Sequence, residues 1–106
     1  MAKYLFQVSY TADGIKTLLR DGGSKRRRVA ENLIKSVGGK IESYYYAFGK
    51  TDIFIIFDAP DDASAAAASL VPAALGVARI KTTVLLTPAE MDRAARKKVR
   101  YAPPVR

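Results

Sequence analysis

The chain has no cysteine, no histidine and no tryptophan. Without Cys or His, the usual zinc, iron–sulfur and copper ligand sets cannot be assembled. Cysteine nucleophiles, Ser-His-Asp triads and histidine bases are excluded on the same ground. Any catalysis falls to Asp, Glu, Lys, Arg or Tyr, and the residues call for no metal and no cofactor. No apolar run reaches the ~18 residues of a membrane span. Met1-Ala2-Lys3-Tyr4 leads straight into an alternating strand pattern rather than a signal-peptide apolar region, so a cytoplasmic protein with no membrane partner is expected. What the chain does have, 106 residues with 49% hydrophobic and 26% charged, suits one globular domain. A domain of this length buries roughly two-thirds of its unfolded surface and needs no disulfide to fold.

Lys and Arg number 18 against 10 Asp and Glu, giving +8, but the excess is local. Lys25, Arg26, Arg27 and Arg28 form one cluster, and residues 93–106 carry six bases and no acid. The rest of the chain has eight bases against ten acids, so the globular body is nearly neutral. A single domain over residues 1–92 followed by a basic tail over 93–106 is the natural division.

Residues 3–10 alternate, with Tyr4, Phe6, Val8 and Tyr10 on one side, and predict a first strand. Thr11 caps a short helical turn that Gly22-Gly23 interrupts, and Ser24 is expected to cap a second helix. In that helix Val29, Ala30, Leu33, Ile34 and Val37 recur at helical spacing until Gly38-Gly39 ends it. Residues 40–48 predict a second strand, with Ile41, Ser43, Tyr45 and Ala47 opposite Glu42, Tyr44, Tyr46 and Phe48. Gly49-Lys50-Thr51 reads as a hairpin turn, and residues 52–59, apolar on both faces, as a central strand buried from both sides. Asp61 or Asp62 caps an alanine-rich helix whose last turn Pro72 should kink or break. Residues 77–86 predict a fourth strand. Thr87-Pro88-Ala89-Glu90 is a capping box with proline at the first helical position.

The order β-α-β-β-α-β predicts an α+β, ferredoxin-like sandwich: a four-stranded antiparallel sheet with its helices on one face. The other face is then expected to hold either the Tyr4, Phe6, Val8, Tyr10 row or the row containing Tyr44, Tyr46 and Phe48. So large an apolar patch predicts sheet-to-sheet homodimerisation into a closed dimeric α/β barrel.

Particular residues also resemble a known family. The opening K-Y-L-F, Gly22-Gly23-Ser24 with Arg26 and Arg27, Gly38-Gly39-Lys40, Tyr44 to Gly49, Asp52, Thr82-Thr83 and Leu85 to Met91 are similar to the GYD domain family. The resemblance covers about residues 1–92. Gly49 and Asp52 stand at positions that give the family its name, while Thr51 occupies the place expected for its tyrosine. Membership implies small bacterial proteins of the dimeric α/β-barrel group, which includes cofactor-free monooxygenases, isomerases and ligand-binding modules.

Three features carry candidate chemistry. Asp52, between a turn and an apolar strand, is either a hairpin cap or, if it faces inward, a general base. Tyr45 is the phenol that faces away from Tyr44 and Tyr46, and a phenol can act as donor or acid. Gly23, Ser24, Lys25 and Arg26 place amides and cations at a helix start, where an anion is attracted, although no P-loop spacing is present. The reading favoured is a homodimeric module, or a higher homo-oligomer, that binds a small organic or anionic ligand, with or without cofactor-free chemistry. The alternatives are a structural or accessory homo-oligomer without a ligand, and weak nucleic-acid binding through the two basic segments; nucleic acid is not the expected partner.

Overall fold

A computed structural model of the chain describes residues 1–104. Arg106, counted in the basic tail, lies outside the described residues. The elements run β1 (Ala2–Tyr10), α1 (Ala12–Asp21), α2 (Gly23–Ser36), β2 (Lys40–Tyr46), β3 (Ile53–Ala59), α3 (Asp62–Ala74), β4 (Ala78–Leu85) and α4 (Pro88–Arg96). The sheet order is β2-β3-β1-β4, and all three pairings are antiparallel. This is the ferredoxin-like α+β arrangement, with β1 and β3 in the centre.

Local chemistry sets most boundaries. Thr11 caps α1 by accepting from the Gly14 amide, Asp61 caps α3 by accepting from the Ser64 amide, and Thr87 and Glu90 form the expected capping box. The expected cap at Ser24 is corrected: α2 begins at Gly23 behind Gly22, with no side-chain cap bond. Gly22 has φ +82°, which lets α1 and α2 follow one another almost without a linker. Pro72 sits inside α3, and the helix ends at Ala74.

One face of the sheet packs under the helices. Tyr4, Phe6 and Val8 of β1 meet Tyr44 of β2 and Ile53, Ile55 and Phe57 of β3, covered by Ile34 of α2 and by Ala65 and Ala68 of α3. Phe57 lies at the centre, edge-on to Phe6 at 4.5 Å and stacked on Tyr4 at 5.4 Å. The expectation that either the Tyr4 row or the Tyr44 row would occupy the second face is therefore corrected, since Tyr4, Phe6, Val8 and Tyr44 all lie beneath the helices, while Phe48 stands exposed beyond the end of β2. Across the register, the second face carries Lys3, Leu5, Gln7 and Ser9 of β1, Phe54, Ile56 and Asp58 of β3, and Arg79, Lys81, Thr83 and Leu85 of β4. β3 is central as expected, but only one of its faces is fully buried, because Phe54 remains 38% exposed.

Tyr4 also ties the sheet to a helix. Its hydroxyl donates to Asp62 Oδ1 at 2.6 Å, in the first turn of α3. That bond to the carboxylate, followed by burial, pushes the phenol up to about 12. A group whose pKa is raised on folding stabilises fully below its unfolded value near 10, and the contribution fades as pH climbs through about 12. Tyr4→Phe is expected to lose about 1–2 kcal/mol at pH 7. The variant should also lose less of its remaining stability than wild type between pH 10 and 12. Urea unfolding at both pH values checks this, and equal alkaline losses in the two proteins would show that the bond contributes nothing.

Candidate functional site

Between the sheet and α2 lies a half-open cavity of about 100 Å³. Phe6, Val8, Ile53, Ile55, Ala78 and Ile80 form its sheet wall, and Val29, Ala30, Leu33 and Ile34 its helix wall. The α2 positions 26, 29, 30 and 33 recur at three- and four-residue spacing, so they share one face of the helix. Arg26 is the first of them, and its guanidinium enters the cavity wall among apolar side chains.

Two phenols, Tyr10 and Tyr44, lie near that arginine, and Tyr46 stands beside Tyr44. Tyr44 donates to the Tyr46 hydroxyl at 3.2 Å, and Tyr46 donates to the Gly23 carbonyl at 2.8 Å. The two rings meet edge-on at 5.3 Å. A Cβ on Gly23 would stand 3.1 Å from the Tyr46 ring, so glycine at this helix start lets the phenol approach the backbone. Burial, and then the bond to Tyr46, push the Tyr44 phenol far above its ordinary range. Burial, and then the neighbouring Tyr46, also raise Tyr10, and the nearby Arg26 charge offsets only part of that rise. Both phenols therefore stay protonated at neutral pH, and can serve there as neutral hydrogen-bonding groups.

Arg26 is incompletely satisfied. Its side chain is 19% exposed, and its Nη1 lies 3.7 Å from Asp21 Oδ2. Its Nε is buried without a hydrogen-bond partner, alone among buried side-chain nitrogens and oxygens of the described residues. Buried donors in folded proteins are nearly always paired, which makes this nitrogen an exception among the described residues.

The residues singled out in the sequence fall in different places. Asp52 accepts from the Tyr10 amide at 2.8 Å, while its own amide donates to the Val8 carbonyl and its carbonyl accepts from Ala47. It ties the β2–β3 hairpin to the end of β1 and does not line the cavity. Tyr45, 72% exposed, faces the opposite side of the sheet. Gly23, Ser24, Lys25 and Arg26 are consecutive at the start of α2, but their side chains diverge. Lys25 reaches Asp21 at 3.7 Å, as does Arg26, and Arg20 binds the same carboxylate at 3.0 Å. These cations already converge on an anion of the chain's own, and Arg20 holds the Asp21 carboxyl below its usual range. Only Arg26 of the set enters the cavity.

The sequence reading did not assign Tyr10, Tyr44 or the inward turn of Arg26 to a site. The signal for Arg26 was available: the apolar stripe 29-30-33-34-37, extended one turn toward the N-terminus, lands on residue 26. Its three basic neighbours masked that continuation.

A family model, the GYD domain, matches residues 4–95. The chain belongs to the GYD domain family. The match runs from β1 into α4 and thus includes every residue of the cavity and its tyrosine cluster. No curated protein and no solved structure matches the chain. Among the described residues, no helix is long and apolar enough to cross a membrane.

Proposed function

We propose that this GYD domain protein is a small-molecule-binding module that works as a homodimer, with the ligand held between sheet and α2. The observation that carries the reading is the Arg26 side chain, its buried Nε unpaired, in the wall of a mostly apolar cavity. Ligand sites are mostly apolar with a few placed polar groups, and this cavity has that composition. At about 100 Å³ it is smaller than the roughly 150 Å³ void that accepts benzene, so the buried part of the ligand is a few carbons in size.

The dimer is supported by the second sheet face. Leu5, Tyr45, Phe54 and Ile56 make an apolar centre there that no element of the chain buries fully. The occupant proposed is a second copy, because the apolar centre lies between a neutral corner and a basic one. Lys3 and Lys40 offset Glu42 and Asp58 at the first, whereas Arg79 and Lys81 make the diagonally opposite corner basic. A two-fold axis lying along the other diagonal sets each basic corner over a neutral one and keeps the two basic corners apart, with the strands of the two sheets crossing steeply.

Binding is tested with isovaleramide as a neutral probe, read by methyl NMR. Saturable shifts are expected at Val29, Ala30, Leu33 and Ile80, and they should vanish in Ala30→Leu, whose side chain occupies the space. Absence of any shift in folded wild-type protein up to the probe's solubility would overturn the ligand reading, leaving the sheet face as an interface only.

A further inference from the structure

Arg26, Tyr10 and the apolar cavity together define what kind of molecule fits, an inference that rests on the ligand reading above. We propose that the cavity selects short-chain carboxylates, the hydrocarbon part seated against Val29, Leu33, Ile55 and Ile80 and the carboxylate taken by the Arg26 guanidinium at the mouth. The shape of the donor set carries the argument. A guanidinium offers N–H groups in a planar fork that matches the two oxygens of a carboxylate, whereas a lone hydroxyl or amide acceptor uses only one of them.

The contact with Asp21 leaves that fork usable. It reaches Nη1 at 3.7 Å, longer than a hydrogen bond, and it leaves Nε with no partner. Asp21 in turn is held by Arg20 at 3.0 Å and approached by Lys25 at 3.7 Å, so its charge is met without Arg26. The remaining polar groups at the mouth agree with an anion. Tyr10 and Tyr44 are the titratable groups near Arg26 on the sheet; Tyr44 has committed its O–H to Tyr46, which leaves the Tyr10 phenol to donate to a carboxylate. No acidic side chain lines the cavity to repel it. A cationic ligand would meet the guanidinium and is disfavoured for the same reason.

The size limit narrows the class. An apolar space of about 100 Å³ takes a branched chain of a few carbons but not a long acyl tail or a nucleotide. The half-open mouth places the carboxylate where it can keep part of its hydration while Arg26 satisfies the rest.

Isovalerate and isovaleramide share shape and carbon skeleton and differ in charge, so the pair isolates the proposed contact. Wild-type protein titrated with each by methyl NMR should bind isovalerate about tenfold more tightly or better, as charge-assisted bonds exceed neutral ones. Arg26→Met keeps an unbranched apolar side chain and removes the fork. It should reduce the ratio to near one, isovalerate losing both contacts to the fork and isovaleramide only the single one its carbonyl makes, with the apolar wall retained for both. Arg26→Lys, which keeps the charge without the planar fork, should lose most of the preference and serves if the methionine variant does not fold. Equal or weaker binding of isovalerate by wild type, with isovaleramide still bound, would overturn the carboxylate assignment and leave the cavity reading standing. A preference that survives in Arg26→Met would also overturn it by placing the anion contact elsewhere. Failure of both probes in folded protein removes the cavity reading and this inference together.

Discussion

Gly14→Ala is expected to destabilise the protein by about 3 kcal/mol, lowering the melting temperature by roughly 15 °C. The cause is a close approach with no room for a methyl group. A Cβ at residue 14 would stand 2.6 Å from Tyr10 Cδ1 and closer still to the Val77 carbonyl oxygen. Neither neighbour is free to retreat. The Val77 carbonyl accepts from the Thr11 amide at 3.1 Å and from the Thr11 hydroxyl at 3.0 Å, and that hydroxyl also donates to the Gly76 carbonyl. Tyr10 is pinned by its own amide, bonded to Asp52. Helix α1 is thus docked against the approach to β4 through a glycine, and the penalty falls on a junction of three segments. The same substitution would press the Tyr10 ring toward the cavity, so any protein that remains folded should also bind isovaleramide more weakly. A melting temperature unchanged by Gly14→Ala would show that α1 is not seated as described.

How far the molecule could be read from its residues differs from element to element. β1, β2 and β4 were legible from period-two alternation, β3 from a short apolar run between turn residues, and the capping box at Thr87 from its motif, with the α3 cap narrowed to Asp61 or Asp62. Which rows share a face was not legible in the same way. Strict alternation through residues 40–48 separates Ile41 from Tyr44, yet the register pairs Ile41 with Phe57 and Ser43 with Ile56, with Glu42 bulged between them. A bulge adds one residue to one strand, so Ile41 and Tyr44 both end on the core face, and alternation alone gives no sign of it. The functional residues were legible in part. Tyr44 and Tyr46 were read as sheet-face residues, but their meeting with Arg26 and Tyr10 depends on how α2 lies across β1 and β2, a long-range relation outside local pattern. Asp52 was read as either a cap or a base, and the structure shows its carboxylate bonded to the Tyr10 amide. The basic run at 25–28 read as one patch, whereas its members separate around the helix, with Lys25 on Asp21, Arg27 near Glu31 and Arg26 inward.

For the proposed dimer, Ile56→Asp is expected to convert the assembly to folded monomers at micromolar concentration. Ile56 pairs with Leu5 of β1 and Ser43 of β2, at the middle of the open face, so a second sheet laid on it would enclose the new carboxylate without a partner. Such a buried, unpaired charge costs about 3–5 kcal/mol, enough to weaken association by several hundred-fold or more. Tyr45→Glu tests the same surface with less risk to the subunit, since Tyr45 is 72% exposed and outside the core. Sedimentation velocity on wild type and both variants reads the outcome. A folded wild-type monomer at micromolar concentration would remove the dimer and leave the open face to another occupant. A stable dimer unaffected by Ile56→Asp and Tyr45→Glu would place the interface elsewhere, the exposed apolar residues Leu70, Val71 and Leu75 around the end of α3 being the next surface to mutate.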